Sequence, residues 1–188
     1  MEKAKIQLCL EESCTGCYAC AAVCGKGAIS FIESAEGFFY PKIDANICVS
    51  CHLCQNTCPE LSPIAFNPNG DCYAAWSLDE GIRSHSSSGG IFTELARSII
   101  LQNGIVIGAS LDDEIGRVRH IIIDDVDDLH KIQGSKYVQS EISSEILKQL
   151  KASLQCGQIA LFTGTPCQIA GVVAFTHNPR NLIIPYTR

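Results

Sequence analysis

Positive charge is scarce in this chain: 14 lysines and arginines stand against 20 aspartates and glutamates, for a net charge of −6. The deficit is shared, with 4 basic and 7 acidic residues in 1–70 and 10 and 13 in the remainder. No basic stripe forms anywhere, so nucleic acid is not an expected partner. A long apolar run is also missing. The longest uncharged stretch, Ala152 to Pro179, is broken by Gly, Thr and Pro and does not read as a membrane span. The N-terminus "MEKAKIQLCLEE" has too short an apolar run and too many acids for a signal peptide. These absences lead to the expectation of a soluble, cytoplasmic protein. Its 188 residues, 46% of them apolar, leave room for one domain with a real core plus a small appended module.

Cysteine, by contrast, is plentiful. Twelve in a short secreted chain would suggest a disulfide scaffold, but here eight of them fall in two tight blocks without an export signal. The blocks are "CTGCYACAAVC", with Cys14, Cys17, Cys20 and Cys24, and "CVSCHLCQNTCP", with Cys48, Cys51, Cys54 and Cys58. Both read C-x2-C-x2-C-x3-C, and every cysteine has a counterpart 34 residues later, the mark of an internal duplication.

That spacing lets three thiolates of one block wrap a 4Fe-4S cube while the fourth points away to ligate the other cube. One cluster is then expected on Cys14, Cys17, Cys20 and Cys58, and the second on Cys48, Cys51, Cys54 and Cys24. Small residues in the first loop (Gly16, Ala19, Ala21, Ala22, Gly25) let backbone N–H groups approach the cluster sulfurs. Structural zinc, the alternative, wants two separated pairs making one tetrahedron. Gly25 stands where the second block has Pro59, a departure that loosens the turn without removing it. His52 reads as a solvent-facing loop residue, and Cys9, on "KIQLCL", as a packing residue on a short strand. "GFFYPKIDANIC", with aromatic and branched residues around Gly37 and Pro41, reads as a strand pair covering the clusters. Residues 1–66 resemble a two-cluster bacterial-type ferredoxin.

The stretch "SPIAFNPNGD" is rich in turn residues, and the linker is placed at 67–72. Beyond it, apolar spacing predicts a strand over "CYAAWSL", then a helix carrying Ile91, Leu95, Ile99 and Ile100 and ending at Gly104. Strands follow at "IVIGASL" and "RVRHIIID", a short helix at "DVDDLHKIQ" and an amphipathic helix at "SEISSEILKQLKASL". A buried strand at "GQIALFTG" and a helix opening at "TPCQIAG" complete the pattern. The fold class expected is α+β: a two-cluster ferredoxin-like module, then an α/β-type mixed sheet with helices.

Three loops carry small or reactive residues. "SHSSSGGIF" suits either a phosphate at a helix N-terminus or an ordinary helix cap. "QGSKYVQS" offers a cation and an aromatic, or an exposed turn. "TGTPCQ" sets Cys167 in the first turn of a helix, where a thiol either reacts or packs as a small hydrophobe. In this order, "SSSGGIFTELA", "GSKYVQS" and "LFTGTPCQIAG" resemble the family of coenzyme F420 hydrogenase/dehydrogenase beta subunits, from about Cys72 to Phe175. The resemblance implies an iron–sulfur flavoprotein moving electrons between FAD, its clusters and a deazaflavin or another redox partner.

On it, Ser88, Gly89, Gly90, Lys136, Tyr137, Thr165 and Cys167 become candidates for the flavin and cluster neighbourhood. Members of that family continue past "GTPCQIAG" into a second half with further cysteines. Residues 73–188 therefore read as the N-terminal part of a C-terminally truncated domain. The leading expectation is an oxidoreductase subunit acting with a redox partner protein, a small electron carrier or other subunits of a redox complex. Its rival is a non-enzymatic, ferredoxin-like carrier whose second domain only docks. A zinc-stabilised interaction module is the third reading.

Overall fold

A computed structural model describes residues 6–64, 73–177 and 179–184. The linker expected at 67–72 and the thiol of Cys72 lie outside the described residues. The chain divides into two compact units. The first comprises Met1–Ile64, Glu141–Lys151 and Thr165–Pro179, and the second Ala65–Ser140, Ala152–Gly164 and Arg180–Arg188.

In the first unit, two five-residue helices, α1 (Ala19–Val23) and α2 (Leu53–Thr57), each carry the third cysteine of a block, Cys20 and Cys54. Strands β1 (Ile29–Glu33) and β2 (Phe39–Ile43) form an antiparallel hairpin in which Ile29 faces Ile43 and Phe31 faces Pro41. Its turn is held by Ser34, whose Oγ accepts from Phe38 N–H at 3.2 Å and whose own N–H donates to Phe38 O at 2.8 Å. Helix α6 (Pro166–Thr176) packs on α1 and α2. Its start is fixed by a capping box, the Thr165 N–H donating to Gln168 Oε1 at 2.9 Å while Thr165 caps the Gln168 N–H. Pro166 fills the first turn, where no N–H is needed. Residues 6–10 carry no regular structure, so the short strand expected around Cys9 is not formed.

The second unit is a mixed four-stranded sheet of order β4-β3-β5-β6. Strand β3 (Ile105–Asp112) runs antiparallel to β4 (Arg117–Ile123) and parallel to β5 (Ala160–Phe162), and β5 runs parallel to β6 (Leu182–Ile183). Helix α4 (Ile91–Leu101) lays Ala96, Ile99 and Ile100 on a core with Val106, Ile123, Leu129, Ile132 and Leu161. Leu95, expected on that buried face, is 37% exposed, and Thr93 is buried instead. The expected short helix appears as a 3-10 turn, Val126–Lys131, capped by Asp125, which accepts from Asp127 N–H at 2.9 Å. The remaining two helices are α3 (Glu80–Ser84) and α5 (Ser144–Gln155).

"CYAAWSL" is not a strand over its described residues, 73–78. Its apolar alternation finds no sheet to join, leaving Tyr73, Trp76 and Leu78 exposed while Ser77 N–H donates to a loop carbonyl, Gly89 O, at 2.7 Å.

Candidate metal centre and redox loops

The two cysteine blocks fold alike, residue for residue. Gly16 and its counterpart Ser50 have φ of 62° and 56°, and Tyr18 and its counterpart His52 have φ of 61° and 63°. Three of these four are not glycine, and left-handed backbone costs such residues roughly 1–2 kcal/mol each. Left-handed turns of this kind can bring successive backbone N–H groups to one side, which suits a bound anion. After each loop comes a five-residue helix, and Cys24 and Cys58 both leave it with φ of −74°.

Each block closes a cavity using a thiol of the other. The first cavity is lined by Cys14, Cys17 and Cys20 together with Cys58, beneath the facing pair Phe31 and Pro41. The second is lined by Cys48, Cys51 and Cys54 together with Cys24, beneath Ile29 and Ile43. The hairpin thus covers both, and Tyr18 stacks on Phe31 with ring centroids 3.7 Å apart. Among the described residues no three His, Cys, Asp or Glu side chains are placed to hold a single metal ion. Four thiols line each cavity together. His52 is exposed, as expected, its Nδ1 within 2.7 Å of Gln55 Oε1.

Burial governs the protonation of these thiols. It pushes Cys17 up to about 11, opposed by the Ala19 N–H that donates to its sulfur and reinforced by Cys58 and Cys14. Cys20 is raised further, by burial first and then by Cys17, Cys14 and Cys58, and Cys54 is raised by burial. The thiols acting on Cys17 and Cys20 are their partners in the first cavity, Cys58 of the second block among them. A fifth thiol joins them. Cys9, expected as a packing residue, lines the first cavity beside Cys14 and Cys58, and burial raises its pKa, reinforced by those two thiols.

Helix α6 reaches this centre. A Cβ at Gly171 would stand 2.7 Å from Cys17 Cβ and 2.8 Å from its Sγ, so only glycine lets α6 lie this close to the first cysteine loop. Near the start of the same helix, Cys167 Sγ lies 3.1 Å from Thr165 Oγ1. Gly171 stands out in sequence only as the last residue of "GTPCQIAG", and its role is steric.

In the second unit the other two loops meet. Ser87 Oγ accepts from Ser135 N–H at 3.0 Å, bringing Ser88, Gly89 and Gly90 into the neighbourhood of Lys136 and Tyr137. Gly89 is pressed against its own chain, since a Cβ there would stand 2.7 Å from Ala75 O. Gly90, at φ 81°, starts α4 without a side-chain cap. Lys136 Nζ donates to Gln133 O at 2.6 Å, and burial lowers its pKa. Tyr137 is 93% exposed. Thr165 and Cys167 belong to the first unit.

Comparison with known proteins agrees with this division of labour. Residues 13–61 match the family described as 4Fe-4S dicluster domain. Residues 72–147 match the family described as coenzyme F420 hydrogenase/dehydrogenase, beta subunit N-term. The chain is similar to a subunit of the F(420)H(2) dehydrogenase of Methanosarcina mazei, 19% identical over 179 residues, covering 91% of this chain and 51% of that protein. It is also similar to coenzyme F420-dependent sulfite reductase of Methanocaldococcus jannaschii, 27% identical over 178 residues, covering 88% of this chain and 26% of that protein. The chain thus spans about half the length of the first relative and about a quarter of the second. No helix among the described residues is long and apolar enough to cross a membrane. The resemblance carried by the motifs holds as a likeness: part of the chain matches a 4Fe-4S dicluster domain, and a following part matches the N-terminal domain of coenzyme F420 hydrogenase/dehydrogenase beta subunits.

Proposed function

We propose that this chain is a cytoplasmic electron-transfer oxidoreductase subunit carrying two 4Fe-4S clusters and exchanging electrons with FAD or a deazaflavin-type partner. The observation that carries the reading is the crossover: each cavity takes three thiols from one block and the fourth from the other. Cys14, Cys17, Cys20 and Cys58 would hold one cluster and Cys48, Cys51, Cys54 and Cys24 the other. When bound, the clusters supply single-electron transfer. The protein excludes water with the hairpin and directs N–H groups at the sulfurs, as Ala28 N–H does to Cys24 Sγ at 3.3 Å. Both relatives carry F420 in their names, and one is named as a subunit, which supports a redox complex as the setting.

The test is anaerobic reconstitution with iron and sulfide analysis and EPR of the reduced protein. About eight irons per chain are expected, four for each cube. Markedly fewer, without a cluster signal, sinks the two-cluster reading.

A flavin would be held by Ser88, Gly89, Gly90, Lys136 and Tyr137, with Thr165 and Cys167 as further candidates. One observation favours the carrier reading instead: Gly89 is accounted for by its contact with Ala75, without any ligand. Extracting FAD from natively purified protein decides between the two, and its absence leaves an iron–sulfur carrier with a docking domain.

A further inference from the structure

The duplication offers an internal control on Cys9. Five positions before the first cysteine of each block stand Cys9 and Ile43, 34 residues apart, and each lines the cavity of its own block. An aliphatic side chain therefore suffices to cover the second cavity, and covering alone does not account for a thiol at the first. The segment bearing Cys9 is unpaired by any strand but is tethered by Gln55 Nε2, which donates to Gln7 O at 2.8 Å. Cys9 lines the same cavity as Cys14 and Cys58, the two ligand positions it stands beside.

We propose that Cys9 is a reserve ligand of the first cluster, able to take the corner left by Cys14 or Cys58. The proposal rests on the two-cluster reading above. The step is ligand exchange without redox change. The Cys9 thiol would release one proton and its Sγ would bond to iron, while the bond from Cys14 or Cys58 breaks and that thiolate takes up one proton; where that cysteine is replaced by alanine the corner is already open. The oxidation level of the cluster is untouched.

The experiment compares wild type, Cys9→Ile, Cys14→Ala, Cys58→Ala and the two double variants, all reconstituted anaerobically. Cys9→Ile installs the residue its repeat counterpart already carries, and it is expected to keep about eight irons per chain. At least one of Cys14→Ala and Cys58→Ala is expected to keep about eight as well, falling to about four when Cys9→Ile is added. Alkylation of the holoprotein read by mass spectrometry gives a second measure. Cys9 should be labelled in wild type and protected in the single variant that keeps its cluster.

If both single variants already drop to about four irons while wild type holds eight, the proposal is overturned and the two-cluster reading stands. Equal labelling of Cys9 in all proteins overturns it too. A wild type that never reaches about eight irons overturns the two-cluster reading, and the proposal falls with it.

Discussion

A thiol that is hard to ionise is an unusual choice of ligand, yet Cys17 is held up to about 11 by burial, and burial raises Cys20 and Cys54 as well. Iron binds the thiolate, so each ligand must release a proton when the cluster forms. Protons then compete with iron wherever the free thiol would be protonated. Because burial raises these pKa values, that competition extends through the neutral range and ends only as pH climbs past about 11 for Cys17. The sign is fixed: cluster retention strengthens as pH rises and weakens as it falls. In a chelator challenge, iron loss should be several-fold faster at pH 6 than at pH 9. Equal rates at the two values would show that thiol protonation does not limit release. The same residues explain why Cys9 escaped the sequence reading. Its neighbours in "KIQLCL" suggest a strand, and nothing in that stretch announces that Cys14 and Cys58 fold against it.

Among the elements, α6 is where two effects of opposite sign can be weighed. Alanine in place of a mid-helix glycine ordinarily stabilises a helix by about 1 kcal/mol. At Gly171 the new Cβ would come within 2.7 Å of Cys17 Cβ, and overpacking of that kind costs about 1–3 kcal/mol. Backbone and a ligand-bearing side chain cannot yield as a flexible surface chain would, so the clash wins. Gly171→Ala should lower stability by up to about 2 kcal/mol and alter the EPR signal of the first cluster while sparing the second. Gly25→Ala, where a Cβ meets nothing within 4 Å, should change neither. A neutral Gly171→Ala would mean that α6 is free to shift away from Cys17. Elements were legible wherever local chemistry decided them: the cap at Thr165 and Pro166 marks the start of α6, and alternation marks β3 and β4. "CYAAWSL" alternates just as well and forms no strand over 73–78, because pairing depends on a partner that a local pattern does not encode. β6 is only two residues long, too short for any period to register.

For the whole molecule, one cavity is lined by Cys14, Cys17, Cys20 and Cys58 and another by Cys48, Cys51, Cys54 and Cys24, which supports the proposed ligand sets read from the spacing. The loop residues were legible only as a family likeness, since serines, glycines and a lysine serve caps and turns equally well. What separates the two functional readings is electron capacity. Two cubes accept about one electron each, and a bound FAD accepts about two more. Anaerobic titration of the natively purified protein with a measured reductant should therefore consume about four electrons per chain if a flavin is present. The visible bands of clusters and flavin should bleach in separable phases. Uptake that stops at about two electrons, with full cluster bleaching, would remove the flavin from the proposal and leave the carrier. Ser87→Ala adds a control on the site, since it removes the hydroxyl that joins the two loops through Ser135. If those loops hold the flavin, this variant should lose about two electrons of uptake while keeping its iron. If the flavin is held elsewhere, uptake stays at about four, and Ser88, Gly89, Gly90, Lys136 and Tyr137 cease to be its candidates.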